Sequence, residues 1–422
     1  MTQDCACPQI PPFPRDGAPE LMTGFPPAPQ AQVTLANWQD PPFNRWAFQH
    51  MRELIPTHPI PAGPPAPLPA GQPLGNPVVV RVDGSTATVE DVLAGTYTDA
   101  YLVLHEGQVV AERYHAGMTA GTRHLLMSVS KSILGCAAGV LADRGLLDLH
   151  TPVTAYVPEV SGSGYAGATI RDLLDMRTGV AFDETYTALD ADVRVMERSM
   201  GWRPAQPGDP PGAYPYLASL GSAGPHGGEF SYRSADSDML GWACERASGT
   251  RLADLISALI WQPIGAEAEA EITCDPLGSA IPDGGISTTV RDLARFGQML
   301  VDDGVAQDRI VVPAAWLADV RQPEPGVREA FARTDNEYVL PGGWYRSQFW
   351  VIPGAGSPVM VCLGIHGQLI YADRAARTVV VKMSSWPDAQ NTAYLVDTLR
   401  SCAAVAAHLS AGRVPETGPW SG

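Results

Sequence analysis

At 422 residues, 45% hydrophobic and 17% charged, the chain is long enough to bury a large core and to fold as two interleaved domains. A net charge of −17 at pH 7 repels nucleic acid and anionic lipid, and favours neutral or cationic small substrates. With no window apolar enough to span a bilayer and no basic, apolar leader in Met1–Gly24, the sequence predicts a cytoplasmic protein.

About half of the 39 prolines precede Val78, so residues 1–77 read as an extended coil packed on the body, anchored through Asn44-Arg45-Trp46-Ala47-Phe48. Within this leader Cys5 and Cys7 lack a second pair at zinc-ligand spacing, and no metal is expected. The remaining five of the seven cysteines include Cys136, Cys244, Cys362 and Cys402 inside apolar segments, which suits free thiols in a reducing compartment.

From Tyr101 to Tyr114 two β-type runs flank Glu106-Gly107, a hairpin. Ser128 to Arg144 follows as a helix, with Ile133, Cys136, Ala137, Val140 and Leu141 on one buried stripe. Gly145 closes it, and a helix- and loop-rich stretch runs to about Ala270, including a capped short helix in Thr169–Met176. Ser287 to Val301 is a second amphipathic helix. Val359–Ile365, Gln368–Asp373 and Thr378–Ser384 form a meander that extends the hairpin's sheet, and Asn391–Leu409 is a closing helix with Leu395, Leu399, Cys402, Ala403 and Ala406 inward. The expected units are 1–77 as extension, 78–150 with 271–422 as an α/β domain, and 151–270 as an inserted helical domain. The site should lie between the last two.

Chemistry concentrates at Ser128-Val129-Ser130-Lys131. Three residues apart on a helix, the hydroxyl and the amine share a face, and burial that lowers the lysine pKa would let it take the serine proton. The bland alternative is a surface serine beside a solvated lysine. The polar loop Gly228–Asp236 offers Tyr232 as a second acid/base group that could share one proton with Lys131, or as a tyrosine packed under a helix. Gly364-Ile365-His366-Gly367-Gln368 reads as a strand edge whose Ile365 amide could join that of Ser128 in an oxyanion hole. His366 reads as a strand-edge hydrogen bonder, with a base role as the alternative.

These motifs resemble those of the serine β-lactamase-like, penicillin-recognising hydrolases. Ser-x-x-Lys is matched by Ser128 to Lys131, the tyrosine motif by Tyr232 to Ser234, and the third strand motif by Ile365-His366-Gly367. The similarity runs closer to the nylon-oligomer hydrolase branch through Asn44–Phe48, His124–Ser132, Gly201-Trp202-Arg203, Arg291–Arg295 and Lys382–Asp388. The resemblance implies an α/β (α+β) fold of the class C β-lactamase type, an antiparallel sheet flanked by helices plus an inserted helical domain. It implies Ser128 as nucleophile, Lys131 as base, Tyr232 as acid/base and the Ser128 and Ile365 amides as oxyanion hole. It further implies substrate-binding roles for Tyr186 on a closing loop, Glu197 against a substrate ammonium, and Asp283, Trp350, Ser234 and His366 along the pocket. Where β-lactamases carry Lys-Thr-Gly, this chain has no cation, which argues against efficient lactam turnover.

Gly162-Ser163-Gly164-Tyr165-Ala166-Gly167 satisfies a dinucleotide pattern but follows no β-rich run and is discarded; nucleophile-elbow, zinc-protease and P-loop motifs are lacking. The sequence therefore predicts a cofactor-free hydrolase of short linear amides or carboxylic esters. The alternatives are a carboxylesterase with little amidase activity and a sensor that is acylated without turnover. The expected partner is a small-molecule amide or ester, with no nucleic acid and no membrane; a homodimer is the oligomer considered.

Overall fold

The structure, a computed structural model, describes residues 20–411; Cys5 and Cys7 lie outside the described residues. The strands that build the site are, in chain order, β1 (Thr57–Ile60), β2 (Thr98–His105), β3 (Gln108–Tyr114), β4 (His124–Leu125), β5 (Ala270–Thr273), β6 (Ile286–Thr288), β7 (Trp344–Arg346), β8 (Phe349–Ile352), β9 (Val359–Gly364), β10 (Gln368–Asp373) and β11 (Thr378–Ser384). The helices used below are α1 (Val129–Asp143), α2 (Ile170–Leu174), α3 (Asp192–Ser199), α4 (Ser234–Ser248), α5 (Val290–Val301), α6 (Asn336–Val339) and α7 (Thr392–Ser410).

A seven-stranded sheet runs β7-β8-β9-β10-β11-β2-β3 with every neighbour antiparallel. The β2–β3 hairpin turns at Glu106 and Gly107, both with positive φ (51° and 78°), the geometry of a tight two-residue turn. Its β2 strand pairs with β11, so the early hairpin and the late meander are one sheet. Alternate residues enter two separate cores: Leu102, Leu104, Val379 and Val381 pack in one, Tyr101, Val103, Val380 and Tyr371 in the other. Both faces are covered, by α1 and α5 on one side and by α7 on the other, which is why Val379-Val380-Val381 reads as a continuous apolar run.

Several expectations shift in detail. Every residue of α1 from Val129 to Leu141 is buried, so it is a central helix enclosed all round rather than a one-stripe helix. The predicted Ser287–Val301 helix begins only at Val290, where Thr289 caps it by accepting from the Asp292 amide; the residues before it are strand β6. On α7 the buried stripe is turned by about one residue, to Asp397, Thr398, Ser401, Cys402, Val405 and Ala406, leaving Ala403 exposed. Asp397 is drawn in because it accepts from Arg81 Nε (3.0 Å) and from the Val82 amide (2.6 Å).

The Pro-rich extension is more than coil. Trp38, Phe48, Met51 and Ile60 are buried, and β1 pairs with β5 to open a second, four-stranded sheet in the order β1-β5-β6-β4. Apolar side chains spaced between the prolines supply the burial that holds it down. Among the described residues, no helix is long and apolar enough to cross a membrane.

Candidate active site

Strand β4 delivers the chain to Ser128 through Leu126 and Met127, and Met127 sits in the left-handed region (φ 48°). That conformation costs roughly 1–2 kcal/mol in a non-glycine residue, which the enclosed helix behind it offsets. From His124 to Leu141 only Ser128 is not buried. Strand β9 runs hard against this turn: a Cβ on Gly364 would lie 2.6 Å from the Leu126 carbonyl oxygen, so only glycine lets Ile365 approach the nucleophile.

Lys131 is 1% exposed and its Nζ meets three acceptors, Ser128 Oγ at 2.8 Å, Ser234 Oγ at 3.1 Å and the Asp283 carbonyl at 2.6 Å. Three acceptors match the three protons of an ammonium. The pKa moves opposite to the sequence expectation: burial presses it down, but Tyr232, Asp283, Glu184 and Asp238 outweigh burial and raise it. Asp283 Oδ2 lies 3.7 Å from Nζ. Behind it the Asp283 amide donates to Asp238 Oδ1 at 3.0 Å, placing two buried carboxyls together. Burial and then Asp283 push the Asp238 pKa well above the carboxylate range, and burial raises that of Asp283 as well, with Lys131 pulling it back down.

Tyr232 stands two residues before α4, which starts at Ser234, inside the segment read from the sequence as the polar loop Gly228–Asp236. Its ring stacks on Trp350 (centroids 5.3 Å apart, 22° between planes), and Lys131 Nζ is 5.3 Å from the ring centroid. Burial raises the Tyr232 pKa, while Lys131 and hydrogen bonding to Ser128 pull against it. Ser128, Lys131, Tyr232 and Ser234 thus form one cluster in which protons can be exchanged between a hydroxyl, an amine and a phenol.

Two cavities meet at Ser128 and Ile365. A small one of about 20 Å³ is lined by Tyr186, Glu197, Ser234 and Asp283 together with Val193, Met196, Met200 and Trp202, and a larger one of about 230 Å³ by Tyr232, Trp350, Leu340, Leu363, Gln368, Trp386, Gln390 and Leu395 among others. Tyr186 donates to Glu184 at 2.5 Å, and Glu184 also accepts from the Ser234 amide (2.8 Å) and hydroxyl (2.6 Å). Burial raises the Glu184 pKa and Lys131 opposes it.

Glu197 lines the smaller cavity, where the resemblance places it against a substrate ammonium. Its carboxylate already accepts from Arg194 at 2.6 Å, Arg203 at 2.5 Å and Gln39 at 3.0 Å, so two guanidinium groups neutralise it. His366 is not on a strand: Ile365–Gly367 form the tight turn between β9 and β10, with His366 at φ 60°. Its Nδ1 lies 2.8 Å from the Trp386 carbonyl and burial lowers its pKa to about 4, so it is a neutral imidazole that ties the turn to Trp386. A base role for His366 finds no support in that geometry. Sequence reasoning missed Glu184 and Asp238. Glu184 lies in the same Glu184-Thr185-Tyr186 triplet as the loop tyrosine, and Asp238 lies one helical turn past Ser234, the two spacings that could have found them.

Residues 86–400 match the family described as Beta-lactamase. The 6-aminohexanoate-dimer hydrolase of Paenarthrobacter ureafaciens is 40% identical over 367 residues, 86% of this chain and 91% of the relative. Among solved structures, a Bacillus anthracis chain assigned provisionally as a 6-aminohexanoate-dimer hydrolase superposes with a TM-score of 0.80 at 27% identity, covering 92% of this chain and 99% of that one. A family VIII carboxylesterase shares the fold at TM-score 0.57 and 16% identity over 76% of this chain and 96% of that one.

Proposed function

The chain belongs to the beta-lactamase family and is a serine hydrolase, and on that premise we propose that it cleaves short linear amides and carboxylic esters through an acyl-enzyme on Ser128. The observation that carries the reading is the Lys131 Nζ to Ser128 Oγ contact of 2.8 Å at the junction of the two cavities. In the working state the Lys131–Tyr232 pair is short of one proton. It takes the hydroxyl proton as Ser128 Oγ bonds to the carbonyl carbon, and the amides of Ser128 and Ile365 hold the oxyanion. The carbonyl carbon's bond to nitrogen or oxygen then breaks, and Tyr232 hands a proton to the departing atom. Water attacks the acyl carbon, loses its proton to the same pair, and Ser128 recovers its hydrogen as the acid leaves.

Tyr186, Ser234 and Asp283 line the smaller cavity beside Ser128, which at about 20 Å³ admits only a small end of the substrate. Glu197 fixes Arg194, which donates to the Tyr186 carbonyl and so positions that loop. Trp350 backs Tyr232, and His366 holds the Ile365 turn. The relative named for the 6-aminohexanoate dimer supports testing that linear amide as a substrate. We place the site between 151–270 and the unit made of 78–150 and 271–422. Five buried free cysteines favour a cytoplasmic setting, and a homodimer is the assembly to test first.

Incubation with a p-nitrophenyl ester followed by intact mass measurement tests the reading. An acyl adduct on Ser128 that clears within minutes, and is lost in Ser128→Ala, is expected. An adduct that persists identifies a sensor instead, and turnover undiminished in Ser128→Ala removes Ser128 as nucleophile.

A further inference from the structure

The segment Asn44-Arg45-Trp46-Ala47-Phe48 takes no part in the chemistry described so far. It forms the short helix Phe43–Ala47, closed at Phe48, and lies upstream of residues 86–400, the span that matches the family. Anchoring alone does not explain what its side chains touch. Asn44 is 1% exposed, and its Nδ2 donates to the Trp386 carbonyl at 2.9 Å. That carbonyl also lies 2.8 Å from His366 Nδ1, and the Trp386 amide donates back to the His366 carbonyl at 3.1 Å. His366 Nε2 is buried without a partner, and the Phe48 ring meets the imidazole edge to face, with centroids 5.2 Å apart.

The same helix reaches the other half of the oxyanion hole. The Phe48 carbonyl accepts from the Leu125 amide at 2.8 Å, three residues before Ser128. Arg45 Nε donates to Asp99 at 2.7 Å, and the second Asp99 oxygen lies 3.2 Å from His124 Nε2 in β4. One short helix thus bonds to the strand that delivers the Ser128 amide and, through Trp386 and His366, to the turn that carries the Ile365 amide.

An oxyanion hole works only while its donors stay within hydrogen-bond reach of one point, and losing one donor costs about 10²–10³ in kcat. The Ile365 turn needs outside support for this, because His366 holds a left-handed backbone (φ 60°), a conformation that persists only where its surroundings impose it. The turn rests on Trp386, whose ring a Cβ on Gly367 would run into.

We propose that Asn44 and Phe48 are positioning residues for the oxyanion hole, clamping the Ile365 turn to the strand before Ser128 so that the two amides point at one oxygen. The proposal rests on the acyl-enzyme reading above. Removing the Asn44 amide orphans no buried carbonyl, since the Trp386 carbonyl keeps His366 as its donor. The loss therefore falls on where the turn sits more than on whether the chain folds.

The test compares Asn44→Ala and Phe48→Leu with the natural chain on a p-nitrophenyl ester, each rate being divided by the fraction of protein that acquires the acyl adduct on Ser128. Phenylboronic acid is the second probe, because its tetrahedral adduct with Ser128 places an oxygen in the oxyanion hole. In Asn44→Ala, kcat per acylated site should fall by about tenfold with KM within about twofold, and the Ki of phenylboronic acid should rise by a similar factor. Phe48→Leu, which keeps most of the apolar volume, should show the same pattern at about threefold. A segment that served stability alone would lower the acylated fraction and leave kcat per site and boronic acid affinity unchanged. That result, in whichever variant folds, overturns the proposal and leaves the hydrolase reading standing. Absence of any Ser128 adduct in the natural chain overturns the hydrolase reading itself.

Discussion

Lys131 and Lys382 are each 1% exposed, and each donates to a serine hydroxyl, Ser128 and Ser384. Their surroundings differ in one respect. Lys131 faces Asp283, with Glu184 and Asp238 close behind, and its pKa is raised despite burial. Lys382, in mid-strand on β11 between Leu369 and Tyr101, has Asp99 as the carboxylate that acts to raise its pKa, and Asp99 is already bonded to Arg45 (2.7 Å) and His124 (3.2 Å). Burial then wins and lowers the Lys382 pKa to about 7. Burial alone therefore does not make a base; the acidic groups not already paired with another cation decide, Tyr232 first among them at Lys131. In this chain the lysine beside the nucleophile rests as an ammonium, and the lysine poised near neutrality is sealed beneath Trp386, its Nζ 5.4 Å from that ring centroid.

The sharpest way to break the comparison is to remove each amine. Lys131→Met should lower kcat by about three decades, and Tyr232→Phe by a similar amount, because both hold the proton that Ser128 must lose. Lys382→Met should change kcat by less than about threefold, since its amine reaches neither cavity. Steady-state rates on a p-nitrophenyl ester decide it, and a large loss in Lys382→Met would show the second lysine to be part of the chemistry.

A smaller effect tests the cause assigned to Lys131. The working pair has one proton fewer than the resting pair, so kcat/KM should climb about tenfold per pH unit below the pair's apparent pKa. Glu184→Gln removes one of the anions that hold the ammonium form. The pair then loses its proton more easily, and the rising limb should move to lower pH by about one unit. A limb that stays in place, or moves up, would mean that Glu184 does not act on Lys131.

Much of the fold was legible from the chain itself. Continuous runs such as Val379-Val380-Val381 mark strands covered on both faces, and Thr169 with Asp172 forms the capping box that opens α2, each side chain accepting from the other's amide. Less legible was anything set by distant partners. Spacing put Ser128 and Lys131 on one face, but the direction of the Lys131 pKa depends on carboxylates 53 to 152 residues away, at Glu184, Asp238 and Asp283. The same holds for Glu197, for which the family resemblance implies a substrate ammonium as partner, while Gln39 and Arg203, distant in sequence, bond to its carboxylate. The extension was misjudged because proline content suggests coil, while its burial comes from Trp38, Phe48 and Ile60, which proline counting does not weigh.

The mildest test sharpens the comparison from the side of stability. Lys382 has a pKa of about 7 when folded, against 10.5 unperturbed. Between those values the unfolded chain binds a proton that the folded chain does not. Its contribution to stability therefore rises with pH across that window, by at most about 1.4 kcal/mol per unit. Below pH 7 the folded state must bury an ammonium, and the full penalty is present. Lys382→Met abolishes the titration while leaving the other groups common to both proteins. The Thr96 carbonyl keeps Trp386 Nε1 as a donor at 2.9 Å, so Ser384 is the group that loses a partner, at about 1 kcal/mol. Measured by urea unfolding, the variant should gain most over the natural chain near pH 6. That advantage should shrink by about 2 kcal/mol or more by pH 9. Two stability curves that run parallel from pH 6 to 9 would mean that Lys382 keeps an ordinary charge inside the sheet, and the contrast with Lys131 would have to be drawn from something other than their counter-charges.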